Sequence, residues 1–418
     1  MSEDKATTAK SITAAEFLEN KDRCTAAAIE LAGQKTISAK LHSDLRTRFG
    51  DTLAGLIVES ASLQTKARRK FGDIPASEHA VWWATRRSLQ QATPWQVAKL
   101  KAGWFGQADV LDLCCAIGGD SIALAARGGA MTAVDRDPVL VAMAGANLAT
   151  SLPKAVWQTQ CQDVVGFQIP KGTAVHIDPD RRSDDKHRGT RAESFSPSWD
   201  EVVPIIDQSD SAIVKLAPAT ELDWQPSDRP SHRCWIALQG TVREQALLVG
   251  DSVKMAGLVD QQKSAFRMAA DGSWHRFAPK NAIDNQVAAN DHPGTWLIDP
   301  VSSVRAAGLT ESFAATHSLG TLGGLSGFLT SSDDDLPDEV SAMATTGRIV
   351  WTGSANDRKL RRELRSHGWF PETVKCRGAD RDPAEVFRRY RDCGDVPVTL
   401  WLGRIGKKVY AAISLVSG

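Results

Sequence analysis

No apolar run in these 418 residues approaches the ~20 needed to cross a bilayer as a helix, so a helical membrane protein is excluded. The start, Met1-Ser-Glu-Asp-Lys-Ala6, is polar and lacks the hydrophobic segment of a secretory signal. The seven cysteines form no C-x-x-C pair and no framework spacing, and Cys114 and Cys115 are merely adjacent. That excludes a disulfide scaffold and predicts reduced thiols in a cytoplasmic protein. No His/Cys cluster has the spacing of zinc ligands, so no metal is expected. No repeat of solenoid period is visible. Two of the three glycines of a dinucleotide loop are also missing, because Ala116, Gly118 and Ser121 stand at those positions.

What is present is a β-α-β unit. Ala108-Asp-Val-Leu-Asp112-Leu-Cys114-Cys-Ala116-Ile-Gly118-Gly119-Asp120-Ser121 is an apolar run ending in an acid, then a tight turn, then a helix start. A second apolar run closes on Asp135. Ligands of such sheets bind at the carboxyl ends of the strands. The acids expected there are Asp112, Asp120, Asp135, Asp163 and Asp178. A carboxylate at the helix start opposes a pyrophosphate and suits its own positive helix end. The rim therefore calls for a cationic ligand with a free ribose, and S-adenosylmethionine (SAM) has both features. Asp112 is expected at the methionine amino group, and the Cys114–Gly119 turn, with Ala116 and Gly118, beneath methionine and ribose. Asp135 is expected at the ribose hydroxyls and Asp163 at the adenine amine. Strand-end acids also cap helices with no ligand present, and for any single one of them that explanation suffices.

A second motif is Val175-His-Ile-Asp178-Pro179-Asp180-Arg181-Arg182. A buried strand delivers Asp178 and Pro179 to the cofactor edge, where carboxylate and carbonyl acceptors can align an exocyclic amine for methyl transfer. Arg181 and Arg182 are candidates to clamp a phosphate. An exposed, solvated loop is their plain alternative. His176 reads as a satisfied core residue.

Residues 1–103 are expected to be a helical N-terminal domain and 104–280 a Rossmann-like α/β domain. Helical spacing recurs over Thr25–Ala32, Leu53–Leu63 and Val81–Leu100, with Thr93 as N-cap to the last helix. Strands are predicted near 109–113, 131–135, 155–159, 174–178, 211–216 and 234–238, then a hairpin of Ser264–Met268 with Trp274–Phe277. Residues 281–345 read as a connecting segment containing Asp299-Pro300 and a glycine-rich stretch, Gly320–Gly327. Residues 346–418 read as a small α+β domain. The zero net charge conceals a gradient: residues 1–100 hold 15 basic and 11 acidic side chains, and residues 341–418 hold 15 and 8. Basic ends around an acidic middle suit a polyanion, although solvated helix faces give a similar count.

The segments 110–124, 133–138 and 176–182 resemble bacterial class I methyltransferases of the THUMP-like type, and the catalytic part is similar to the trimethylguanosine synthase family. Lys66-Ala-Arg-Arg-Lys-Phe and Ala92-Thr-Pro-Trp-Gln-Val-Ala-Lys-Leu-Lys101 resemble that group's helical leader. Val374-Lys-Cys-Arg377-Gly-Ala-Asp-Arg-Asp382-Pro383 resembles its C-terminal module. The resemblance implies SAM-dependent methylation with RNA as substrate. Two positions depart from it. Ala116 replaces a loop glycine, and Asp180-Arg181 replaces a Pro-aromatic pair, so the aromatic face for a target base must come from elsewhere, with Trp199 and Trp224 as candidates. Methylation of a small molecule or protein, and a non-catalytic SAM-bound RNA-binding role, are the competing expectations.

Overall fold

The N-terminal segment folds into two long helices, α1 (Ala14–Leu31) and α2 (Ala39–Phe71), then two short ones, α3 (Arg86–Gln91) and α4 (Trp95–Gly103). α1 begins with a capping box between Thr13 and Glu16. The computed structural model describes residues 12–34, 36–72, 81–181, 195–279 and 287–416, without the side chain of Arg181. The helical spacing read over Val81–Leu100 becomes two short helices, α3 and α4, preceded by a non-helical stretch. Residues 81–85 are non-helical. Gln64 hydrogen-bonds the N–H and C=O of Trp82, and Asn147 does the same for Trp83. Two buried side-chain amides thus replace the helical partners that these backbone groups would otherwise need.

The sheet follows: β1 (Val110–Leu113), α5 (Gly119–Ala126), β2 (Met131–Asp135), α6 (Pro138–Ser151), β3 (Trp157–Cys161), β4 (Ala174–Ile177), β5 (Asp180–Arg181), β6 (Phe195–Ser196), α7 (Trp199–Asp207), β7 (Ser211–Leu216), β8 (Ser231–Leu238), β9 (Thr241–Gly250) and α8 (Asp251–Met255). Strands β7, β4, β1, β2 and β3 lie side by side and parallel, and β9 pairs with β7 antiparallel. β8 precedes β9 in the chain, yet β9 is the strand that adjoins β7. Leu111, Leu113, Val175, Ile177, Ala212 and Val214 are buried in one core, as expected where helices cover a parallel sheet.

Next come β10 (Gln262–Met268) and β11 (Trp274–Phe277), an antiparallel hairpin. Then follow β12 (Trp296–Pro300), α9 (Ser302–Ala306), α10 (Thr310–Thr316), β13 (Gly320–Leu322), β14 (Phe328–Ser331), α11 (Asp338–Met343), β15 (Ala344–Ser354), α12 (Asp357–Ser366), β16 (Trp369–Arg377), α13 (Pro383–Tyr390), β17 (Val396–Ile405) and β18 (Lys408–Leu415). One seven-stranded sheet, ordered β13-β14-β12-β15-β18-β17-β16, joins the strands of 296–331 to those of the tail. The stretch read as a connector therefore supplies three strands of that sheet.

By packing, the chain forms two compact units. One comprises Met1–Arg233 and Arg243–Gln262, the other Cys234–Val242 and Lys263–Gly418. The helical leader lies in the first unit with the parallel sheet.

Candidate functional site

Three residues in the turn after β1 have positive φ in alternation: Cys114 at 61°, Ala116 at 47° and Gly118 at 85°. Left-handed backbone is costly for residues with a Cβ, at roughly 1–2 kcal/mol each. A loop that holds two of them is fixed by its surroundings. Asp135, at the tip of β2, accepts the Ala116 N–H at 2.9 Å and the Asp137 N–H at 3.0 Å. Burial is the largest influence on its carboxyl and raises its pKa above the usual range. Cys115 N–H donates to Val134 O and Asp178 N–H to Leu113 O, so the loop is tied to the end of β2 and the Asp-Pro turn to the end of β1. Gly119 sits against the segment before α4, where a Cβ would lie 3.2 Å from the Cβ of Ala92.

Two acids expected at the ligand face the protein instead. Asp112 is 1% exposed. It accepts from His176 Nδ1 at 2.7 Å and from the Ser121 hydroxyl. Asp120 accepts the Thr93 hydroxyl at 2.6 Å and pairs with Lys101 at 2.9 Å. Lys101, itself 1% exposed, also pairs with Glu244 at 2.8 Å and lies 3.2 Å from His176 Nε2. With Lys101 as donor, Nε2 of His176 accepts and its ring proton sits at Nδ1, toward Asp112. Burial works against the Asp120 charge, but Lys101 first, then Lys215 and the Thr93 hydroxyl, hold its pKa well below the carboxylate range. Thr93 was expected as the N-cap of α4. Pro94 is the N-cap, and the Thr93 hydroxyl is used on Asp120 because a buried carboxylate needs a donor.

Asp178 is partly exposed and pairs with Lys215 at 2.6 Å. Burial opposes the Lys215 charge, yet Asp178, Asp120 and Glu244 raise its pKa above the lysine range. Pro179 is buried beside it. Asp180 is gripped by α3, accepting from Arg87 at 3.3 Å and Gln91 at 3.0 Å. Asp163 follows β3, is exposed, and accepts the Val165 N–H at 3.0 Å. The side chain of Arg181 and all of Arg182 lie outside the described residues. Trp199 and Trp224 pack edge to face, centroids 5.5 Å apart, and both rest on the core of the sheet.

The electrostatic expectation is thereby revised. Of the five acids, Asp112 and Asp120 are buried with cationic or hydrogen-bonding partners, and Asp178 is matched by Lys215. Among the described residues, Asp135 and Asp163 form no ion pair; Asp135 is partly exposed and Asp163 exposed. No motif in the sequence assigns a site role to Lys101, Lys215 or Glu244, and Thr93 is expected there only as a helix N-cap. The signal for Lys101 was available: it shares the helical face of Val97, Ala98 and Ala102, all buried.

No protein-family model matches the chain. Two curated proteins of Mycobacterium tuberculosis, from strains CDC 1551 and H37Rv, align with 372 residues at 29% identity, over 87% of this chain and 96% of theirs. Each is named an uncharacterized S-adenosylmethionine-dependent methyltransferase. A crystal structure from Porphyromonas gingivalis W83, whose given name proposes a methyltransferase, superposes with a TM-score of 0.71 at 16% identity, covering 98% of this chain and all of that one. The fold is that of the class I methyltransferases.

Proposed function

We propose that the chain is a SAM-dependent methyltransferase acting on a nucleobase amine in RNA. The observation that carries the cofactor reading is the left-handed loop Cys114–Gly118 pinned by Asp135. A partly exposed carboxylate beside a tight turn that carries no side chain larger than cysteine at its partly exposed positions suits a ribose diol and a cationic methionine end. Asp163 extends that acidic rim toward the adenine position. When bound, SAM supplies an electrophilic methyl group.

The protein's contribution is positioning. Asp178 offers a carboxylate oxygen to an amine N–H, and Lys215 fixes its direction. Arg87 and Gln91 hold the far side of the turn through Asp180. Burial, then Asp135, Asp178 and Asp112, push the Cys114 thiol pKa far above its usual value, so it stays protonated and no thiolate nucleophile competes. Asp112, Asp120, His176 and Lys101 act behind the loop as positioning residues.

RNA as the substrate class is supported by charge in the second unit. An open groove of about 600 Å³ is lined by Asp357, Arg358, Arg361, Arg362, Arg365 and Ser366 of α12. Arg358, Arg362 and Arg365 are exposed and have no carboxylate partner among the described residues. Such a face suits a phosphate backbone.

The test is transfer of labelled methyl from SAM to total cellular RNA, followed by nucleoside mass spectrometry. Label in a base-methylated nucleoside supports the reading. Label only in protein or small molecules favours a different acceptor, and no transfer to any acceptor leaves a non-catalytic SAM-bound protein.

A further inference from the structure

Asp299, in β12, is 4% exposed and is surrounded by three cations, one from the helix that follows it and two from β16. Arg305 of α9 reaches it at 2.9 Å, Arg377 of β16 at 3.0 Å and Lys375 of β16 at 3.5 Å. Two residues apart on one strand, Lys375 and Arg377 project from the same face. Among the described residues no second carboxylate pairs with any of the three, so one negative charge answers three positive ones. Arg305 is also committed to the carbonyls of Leu325 and Gly327, and this is what the glycine-rich stretch supplies. Lys375 donates in addition to the Thr345 hydroxyl. Arg377 uses Nε and Nη2 on Asp299, which leaves Nη1 without a protein acceptor among the described residues.

A surplus of two positive charges in a half-buried cluster is unfavourable unless an anion joins it. Burial is the main influence that lowers the Arg305 pKa, and the neighbouring Arg377 adds to it. Asp299 aligns the guanidinium of Arg377 in a plane, and its open edge is suited to one tetrahedral oxyanion. Asp299-Pro300, Gly320–Gly327 and Lys375-x-Arg377 have separate places in the sequence and one place here.

We propose that Arg377 and Lys375, oriented by Asp299, form a binding site for a phosphate oxyanion, contributed by a phosphodiester of an RNA strand. The RNA part rests on the function proposed above; the oxyanion part does not.

The full chain and its Lys375→Gln/Arg377→Gln variant are compared with a short fluorescein-labelled single-stranded RNA by anisotropy across a potassium chloride series. In parallel, inorganic phosphate is followed by its ³¹P linewidth. Lys154→Gln/Lys171→Gln, which removes equal charge from exposed positions of the first unit, is the control. The expected result is an RNA affinity lowered about tenfold or more, a salt slope reduced by about one, and phosphate broadening lost, with the control near wild type. Unchanged RNA and phosphate binding, an equal loss in the control, or a wild-type chain that binds neither probe overturns the proposal. Phosphate broadening that depends on Lys375 and Arg377, with no RNA bound by wild type, keeps the oxyanion site and removes the RNA reading. Thermal midpoints confirm folding, and Lys375→Gln alone serves if the double variant does not fold.

Discussion

Asp135 accepts the backbone N–H of Ala116 at 2.9 Å, so the tip of one strand holds the middle of the loop that follows its neighbour. The same carboxylate is the proposed ribose acceptor. Asp135→Ala therefore removes both a ligand contact and a loop anchor. SAM binding measured by calorimetry is expected to weaken by about 1–3 kcal/mol. An unchanged affinity rules out the ribose role.

Ala116 carries a Cβ at a φ of 47°. Glycine removes the ~1–2 kcal/mol cost of the left-handed conformation but adds ~0.4–1 kcal/mol of unfolded-state entropy. Ala116→Gly should thus stabilise by about 0.5–1 kcal/mol in urea melts. A loss of stability would show that the loop is not strained at this residue.

Lys101 is the shared partner of two buried carboxylates. Lys101→Met removes the one cation in direct contact with both Asp120 and Glu244 among the described residues, and a destabilisation of about 3–5 kcal/mol at neutral pH is expected. The pH dependence has a definite sign. The folded-state pKa of Asp120 lies below its unfolded value. The pair's stabilisation is therefore complete above pH ~4 and is lost as pH falls further. In the variant Asp120 loses its largest stabilising partner and keeps only Lys215 and the Thr93 hydroxyl, so acidification should cost the variant less stability than it costs wild type. Urea melts at several pH values decide it, and parallel curves for the two proteins would contradict this assignment.

Cys114 and Cys115 have thiols raised well above the ordinary range, by burial first and by nearby aspartates second. Cys161 is exposed. Iodoacetamide near neutral pH should alkylate Cys161 and spare the adjacent pair, as read by peptide mass spectrometry. Fast alkylation of Cys114 would overturn the picture of an inert loop thiol.

Arg358→Gln/Arg362→Gln should weaken RNA binding across sequences and lower its salt slope by about one for each phosphate contact removed. The measurement is RNA affinity as a function of salt concentration. A slope equal to wild type would show that the α12 face does not carry the strand. The basic leader segment Lys66–Lys70 is a weaker candidate than its composition suggests. Lys70 donates to the carbonyls of Leu89 and Gln90, and its pKa is lowered to about 8, mainly by burial.

Period and turn chemistry made much of the first unit legible. Predicted strands near 109–113, 131–135, 174–178 and 211–216 match β1, β2, β4 and β7 within a residue or so, because apolar runs in a parallel sheet are bounded sharply. β9 was missed. Its Arg243-Glu244-Gln245 reads as a loop until Lys101 is seen to neutralise Glu244. Val81–Ala84 was read as helix because its apolar content fits, and only the Gln64 and Asn147 amides decide otherwise.

The sequence by itself determined the β-α-β plan, the tight turn after β1 and the acidic residues around the strand ends, since these depend on neighbours a few residues away, whereas the positive φ of Cys114 and Ala116 came only with the fold. The tertiary structure decided which acids face a ligand. Asp112 lies within β1, Asp120 in the first turn of α5 and Asp178 just after β4, and their accessible charge depends on Lys101, His176 and Lys215, whose proximity is set by packing. The Asp299 cluster was likewise invisible in the chain order, because a carboxylate gathers cations through space and the fold alone fixes which ones lie within reach.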